Sequence, residues 1–399
     1  MKKLKILFIL ITLRTFCSAN GYHKKFELLR INNEFEIQID TMQITKGKQT
    51  SAISVKNNHD SINFNCDGPF VIYKNDAVIC HSIIPYKDSF FVEKKEITKS
   101  DSLYCHVSGT NEKFGFLLKK EITVEKDTYT LPKKMLVVSD IEGEFNALTS
   151  LLKSGKVIDE NLKWKFGDGH LVLLGDFFDR GTNVTECLWL IYKLETEAEE
   201  KGGKVHFLLG NHEIMNMKNI NDFAHKKYSF SSDTLNIPYT DWYSNNSELG
   251  NWLRSKNGVE LIGDFLFVHA GISKEIIKKG HSLHDINNGI RSIINENNSF
   301  KEIIKNEFIG KEGPLNYRGI GNEKEDIKDV KTTLKTFKAK KMIIGHTLME
   351  HIKYIYKEKV IAMDIDQHVD LNTTRIYSLY YQNNQFYTID NKGIKIELK

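Results

Sequence analysis

LVLLGDFFDRG, residues 171–181, decides the fold. Its apolar first half reads as a buried strand, which ends at Gly175-Asp176 and runs on to Asp179-Arg180-Gly181. The same pattern recurs four times. The strand Met135–Ser139 ends at Asp140-Ile141-Glu142-Gly143, and Lys204–Leu209 ends at Gly210-Asn211-His212-Glu213. Phe265–Val268 ends at His269-Ala270-Gly271, and Lys341–Ile344 ends at Gly345-His346-Thr347. Carboxylates, an amide and imidazoles delivered at the C-terminal ends of strands, on one rim of a sheet, are what a two-metal hydrolytic site needs.

Between these strands the apolar period changes to that of helices. Phe145, Leu148, Leu151 and Leu152 form one stripe, and Leu188, Ile191, Tyr192 and Leu194 another that ends near Gly202-Gly203. Strands alternating with helices predict an α/β domain from Pro132 to the end, residues 132–399. Arg375–Lys399 returns to strand alternation, with turns at Asn383-Asn384 and Asn391-Lys392-Gly393, and reads as a closing meander. Residues 20–131 read differently. Phe35, Ile37 and Ile39 alternate with polar residues, and Val71–Tyr73 and Ala77–Cys80 flank a hairpin turn at Lys74-Asn75-Asp76. Phe114–Leu118 follows another turn, so this segment is expected to be a small antiparallel β domain. The aromatic-rich stretch 219–258, with Tyr228, Tyr239, Trp242 and Tyr243, either borders the site or is a surface excursion.

With 399 residues the chain can bury a sizeable core, and 27% charged residues are ordinary for a globular protein. A net charge of +4, with the lysines spread out, gives no argument for nucleic acid or a membrane surface as partner. The first residues are distinctive. Lys2, Lys3 and Lys5 precede the apolar run Ile6–Leu13, and Cys17-Ser18-Ala19 offers a small-residue cleavage site. Residues 1–19 therefore read as a signal peptide, which implies export to a periplasmic or extracellular space. Arg14-Thr15-Phe16 fits a lipid-anchor motif at Cys17 poorly, and no later run is long and apolar enough to span a bilayer. Cleavage would leave Cys66, Cys80, Cys105 and Cys187; at most one bridge forms among the first three, and its pairing is not readable. The absence of a CxxC pair argues against a zinc ribbon.

GDFFDRG, GNHE, HAGIS and GHT, in this order and each after a strand, resemble the calcineurin-like metallophosphoesterases, and above all the phosphoprotein phosphatase superfamily. GNHEIMNM and GPLNYRG resemble its bacterial Shewanella-like branch. The resemblance covers residues 136–366 and implies a β-sandwich flanked by helices. It implies two divalent ions, Mn²⁺ first, with Mg²⁺, iron or Zn²⁺ as alternatives. Asp140 and Asp176 would bind the first ion, Asp176 would bridge to the second, and Asn211, His269 and His346 would complete that one. A hydroxide held between the ions would be the nucleophile. His212 would be the general acid, held oriented and charged by Asp179. Arg180, Arg318 and Asn211 would contact the phosphate. His206, His225, His281, His284, His351 and His368 read as structural or surface residues, and Asp364 and Asp366 as lying behind the ligands at most.

Two positions depart from the family pattern. Glu142 stands where histidine is usual. As an anionic, harder ligand it would favour Mn²⁺ or Mg²⁺ over iron or zinc; otherwise it acts through a water. Leu348 stands where many wider members carry a further histidine, which fits the phosphoprotein phosphatase branch. The implied activity is hydrolysis of phosphomonoesters, with a phosphorylated protein or peptide as partner and phosphotyrosine to be tested. A hydrolase of diadenosine polyphosphates or phosphoanhydrides is the competing enzyme, favoured by a base-stacking pocket of Tyr239, Trp242 and Tyr243. A secreted binding protein with a degenerate site is the non-catalytic alternative, and Glu142 is its one hint.

Overall fold

The computed structural model describes residues 29–31, 35–45, 48–57, 65–86, 89–296 and 298–399. The leader-like residues 1–19 lie outside the described residues.

Two six-stranded sheets form the centre of the molecule. One runs in the order Lys204–Phe207, His170–Leu173, Lys134–Val138, Tyr377–Gln382, Gln385–Asp390, Lys395–Glu397. Its first three strands are mutually parallel, and the closing meander pairs antiparallel to them. The other runs Lys353–Ile355, Val360–Ala362, Lys341–Ile344, Phe265–Val268, Val259–Ile262, Thr128–Tyr129. The five ligand-bearing strands are therefore divided between two sheets, three in the first and two in the second. The single rim expected from the sequence is the shared rim of a sandwich.

The division follows from side-chain alternation. Met135, Val137 and Val172 of the first sheet pack with Phe267, Ile343 and Ile361 of the second to form the inter-sheet core. Their neighbours Leu136, Val138, Leu171 and Leu173 point the other way, into a cluster with Leu148, Leu151, Leu188 and Ile191. These last four lie on the helices Phe145–Ser154 and Val184–Glu199, whose stripes the sequence predicts. A strand buried on both faces has to read as a continuous apolar run, as Met135–Val138 and Leu171–Leu174 do.

The N-terminal residues form an antiparallel sheet in the order Leu29–Ile31, Phe35–Thr45, Lys48–Asn57, Ser89–Ile97, Ala77–Tyr86, Asp67–Lys74. This matches the expected β-rich segment and its hairpin. Its edge strand Asp67–Lys74 and the hairpin Leu103–His106/Lys113–Phe116 pack on the rest of the chain. Phe70 stacks on Trp242 with centroids 3.8 Å apart, Phe116 stacks on Trp189 at 4.4 Å, and Trp189 Nε1 donates to Pro69 O at 2.8 Å. Thr128–Tyr129 joins the second sheet beside Val259–Ile262. The chain before Pro132 thus shares an apolar core with the chain after it. Cys66, Cys80, Cys105 and Cys187 are buried free thiols, and burial pushes the Cys66 thiol up to about 12 and that of Cys80 to about 11. Thiolate, the reactive form, is correspondingly scarce.

Candidate active site

Each ligand-bearing strand ends in a tight turn that aims one polar side chain at the rim. Asp140, Asp176, Asp179, Arg180 and His346 all have left-handed backbones, with φ of 51°, 57°, 72°, 52° and 63°. For residues with a β-carbon this conformation is strained by roughly 1–3 kcal/mol each, and such strain concentrates at functional sites. Main-chain bonds lace the turns together: Asp140 N donates to Gly175 O at 3.1 Å, Glu142 N to Asp176 O at 2.9 Å, and Gly345 N to His269 O at 2.7 Å. Two glycines permit the close approach. A β-carbon on Gly210 would run into Asp176 Oδ1, and one on Gly345 into Ser139 Oγ and Asp140 Oδ2.

Four acceptor atoms converge at the rim. His269 Nδ1 donates to Leu174 O at 2.6 Å, which leaves Nε2 as a lone pair. That nitrogen lies 3.1 Å from Asp176 Oδ2 and 3.2 Å from His346 Nδ1. Asn211 Oδ1 sits 3.1 Å from His269 Nε2, 2.9 Å from His346 Nδ1 and 3.2 Å from Asp176 Oδ2. With both imidazoles neutral and the Asn211 oxygen turned inward, these four atoms are acceptors about 3 Å apart, the spacing of neighbouring ligands around one small divalent cation. The residues fit an ion, and the mix of imidazole, amide and carboxylate suits a first-row divalent metal. Asp140 lies alongside: its carboxylate accepts from Ser139 Oγ and from His346 N at 3.2 Å. Burial, then the charge of Asp364, pushes Asp140 above the ordinary carboxylate range. Burial pushes Asp364 itself up to about 6. Crowded buried carboxylates of this kind are relieved by a cation.

His212 stands beside this cluster. Its Nδ1–H donates to Asp179 Oδ2, and its backbone N–H donates to Asp176 Oδ1 at 2.9 Å. Asn216 Nδ2 donates to the other Asp179 oxygen at 2.9 Å, and Tyr239 OH holds Asn216 Oδ1 at 2.6 Å. Burial works against the imidazolium, but Asp176 and Asp179 outweigh it, so His212 titrates above its ordinary value. Phe223 closes this side: its ring meets His212 edge-on at 5.7 Å, and its carbonyl accepts from Arg180 N at 3.0 Å. The stretch 219–258 thus borders the site. Tyr239, Trp242 and Tyr243, however, are buried against each other, Phe70 and Phe178. They offer no open surface on which a base could stack.

Most of the expected residues meet here: Asp140, Asp176, Asp179, Asn211, His212, His269 and His346, with Arg318 at the edge donating to His346 O at 2.7 Å. Glu142 goes elsewhere. One of its oxygens takes Arg180 Nη1 and the other lies 2.8 Å from His368 Nε2, while His368 Nδ1 meets Glu144 Oε1 at 3.0 Å. His368, read from sequence as structural or surface, thus sits at the mouth of the site. Asp364 is buried close to Asp140. Of the other histidines read as structural or surface, His206 bonds Glu260 at 2.7 Å, His225 caps the helix Lys226–Leu235, and His281 meets Glu307 at 3.0 Å.

Sequence reasoning gave Glu213 no role. It is fully buried, and its oxygens accept from Gly210 N at 2.7 Å, Asp176 N at 2.9 Å and Phe177 N at 2.7 Å. It therefore pins both the turn that carries Asp176 and the start of the helix Asn211–Met217. The signal was present, because an acidic residue three positions after a helix cap is a capping-box pattern.

Residues 133–350 match the calcineurin-like phosphoesterase family. The chain belongs to this family. Among solved structures, the cold-active protein-tyrosine phosphatase of a psychrophilic Shewanella sp. superposes on this metallophosphoesterase with a TM-score of 0.74. The two are 32% identical, over 84% of this chain and 99% of the other. Shewanella-like protein phosphatase 1 of Plasmodium berghei is 27% identical over 229 residues, 54% of this chain and 61% of its own. Shewanella-like protein phosphatase 2 of Arabidopsis thaliana is 25% identical over 295 residues, 59% and 71% of the respective lengths. The calcineurin-like protein described here is a phosphatase, and its family implies divalent metal ions at the rim.

Proposed function

We propose that the phosphatase hydrolyses phosphomonoesters of proteins or peptides at a dinuclear metal centre. The observation that carries the reading is the convergence of Asp176, Asn211, His269 and His346, with the His212–Asp179 pair beside them. Those four would hold one ion; Asp140 and Asp176 would hold the second, with Asp364 near. When bound, such ions polarise the phosphoryl oxygens and lower the pKa of water toward ~7. The protein supplies the rest. Arg180 and Arg318 flank the cluster and grip non-bridging phosphoryl oxygens. His212, whose charged form Asp176 and Asp179 favour, gives its proton to the leaving oxygen. The choice of a protein substrate is supported by the names of the relatives, and the choice of Mn²⁺ by the hard Asp and Asn ligands.

Chelator-treated protein is expected to lose phosphatase activity and recover it with Mn²⁺. A panel of phosphotyrosine, phosphoserine and phosphothreonine peptides then sets the preference. Full activity after verified metal removal would overturn the reading. Glu142→Gln is expected to leave metal content unchanged and to tighten inhibition by inorganic phosphate, because Arg180 is released. The Arg180 side chain is 52% exposed, so the gain is only about two- to fivefold, the worth of an exposed ion pair. Loss of metal in this variant would instead make Glu142 a ligand. Residues 1–19 further support export, for which an N-terminus at Asn20 in the secreted protein is the test.

A further inference from the structure

A second buried charge cluster lies where the N-terminal sheet meets the turn after Asp179. Lys227 Nζ reaches Thr182 O at 2.7 Å, Glu186 Oε1 at 3.0 Å and Asp67 Oδ1 at 3.5 Å. None of the three charged side chains has any solvent exposure. Asp67 opens the edge strand of the N-terminal sheet, Glu186 lies in the first turn of the helix Val184–Glu199, and Lys227 lies in Lys226–Leu235. The hairpin segment adds a second contact to the same turn. Ser108 N donates to Glu186 Oε1 at 3.2 Å, and Ser108 O accepts from Asn183 Nδ2 at 3.3 Å. Tyr228 OH donates to Gly181 O at 3.1 Å and accepts from Val184 N at 2.9 Å. Every residue from Gly181 to Val184 is thus tied to its surroundings. On the opposite side, Gly181 N and Asn183 N donate to Glu142 O and Gly143 O, at 2.8 and 3.0 Å.

We propose that Lys227, fixed by Asp67 and Glu186, is a positioning residue for the Asp179-Arg180 turn, so that the N-terminal sheet contributes to catalysis through it. The inference rests on the reading that Arg180 grips the phosphoryl group and Asp179 orients His212. Of the ammonium's donors one bonds the Thr182 carbonyl, two residues past Arg180, and another Glu186 Oε1, while Asp67 Oδ1 pairs with the charge at 3.5 Å. Burial opposes the Lys227 charge, but Asp67 and Glu186 more than offset it, and its pKa stands above the ordinary lysine value. Stability alone does not account for such a cluster, since buried ion pairs and triads can often be replaced by well-packed uncharged residues without loss. Apolar filling would leave the Thr182 carbonyl unheld, and with it a turn whose two functional residues have strained left-handed backbones. A misplacement of ~1 Å in such a turn can cost up to about 10²-fold in rate.

The test replaces all three charges by near-isosteres in the metal-loaded full chain: Asp67→Asn, Glu186→Gln and Lys227→Met together. With metal content unchanged, inhibition by inorganic phosphate is expected to weaken and kcat to fall, each by about tenfold. In an Arg180→Ala background the loss in phosphate affinity should disappear. A folded triple variant with both constants within about twofold of the parent overturns the proposal, as does an equal loss of phosphate affinity in the Arg180→Ala background. Asp67→Asn alone keeps the side-chain shape and the 2.9 Å bond from Gly68 N, and decides the matter where the triple variant fails to fold. A phosphate inhibition constant raised about threefold or more supports the strut, and an unchanged one refutes it. Arg180→Ala with unaltered phosphate affinity would instead remove the underlying reading of the site.

Discussion

His212→Ala is expected to lower kcat on alkyl phosphomonoesters by roughly 10²–10⁴-fold, the usual worth of a positioned general acid. The imidazole is locked at Nδ1 by Asp179, itself held by Asn216, so Nε2 carries the mobile proton toward the reacting group. Metal content should barely change, because Asn211 and not His212 belongs to the acceptor cluster. An aryl phosphate with a good leaving group, such as 4-nitrophenyl phosphate, needs no proton and should lose far less. The pH dependence has a definite sign. Since Asp176 and Asp179 raise the His212 pKa, the acid form extends to higher pH than for an ordinary histidine, and kcat on alkyl esters falls as pH rises through that raised value. The variant should lack this alkaline limb. Equal losses for alkyl and aryl esters would argue against the acid role.

Glu213→Gln should be the most damaging isosteric change away from the ligands. The carboxylate accepts from three buried N–H groups, and an amide can serve at most two of them while turning its own N–H toward a donor. The mispairing costs about 1–3 kcal/mol of stability. It also releases the turn that carries Asp176, and the loss of such an outer partner typically weakens metal binding by 10–100-fold. Denaturant unfolding and metal titration of the two forms check both effects. A variant of unchanged stability and metal affinity would mean that the three bonds do not hold the turn.

The strands, the two flanking helices, the closing meander and most of the site were legible because each rests on a local pattern. A buried strand reads as an apolar run, and its end is marked by glycine and a ligand side chain. What was not legible depends on contacts between distant parts of the chain. The sandwich itself was implied by the family resemblance, but which strand falls in which sheet is set by the apolar faces that meet, Met135 and Val137 with Phe267 and Ile343. Glu142 meets His368 across 226 positions, so neither residue's sequence context announces the pair. Tyr239, Trp242 and Tyr243 cluster in sequence as a stacking platform would, yet they face Phe70 and Phe178 and are consumed by packing. The N-terminal segment offered a hairpin pattern but no chemical motif, and its tie to the Asp179-Arg180 turn runs through Asp67, Ser108 and Lys227, from three separate elements.

The sandwich gives the rim a mechanical meaning. Asp140, Asp176 and Asn211 belong to one sheet's strand ends, while His269 and His346 belong to the other's. An ion held by both groups is a rivet through two plates. On the proposed assignment such an ion would bind the closed rim and not the parted one, so saturation at about 100 times its dissociation constant would add ~2.7 kcal/mol against separation of the sheets. Amide exchange at Leu174, Leu209, Val268 and Ile344, the last apolar residues before the ligands, therefore reports how firmly the plates are joined. A fraying rim and a failing catalyst are then one event seen by two instruments.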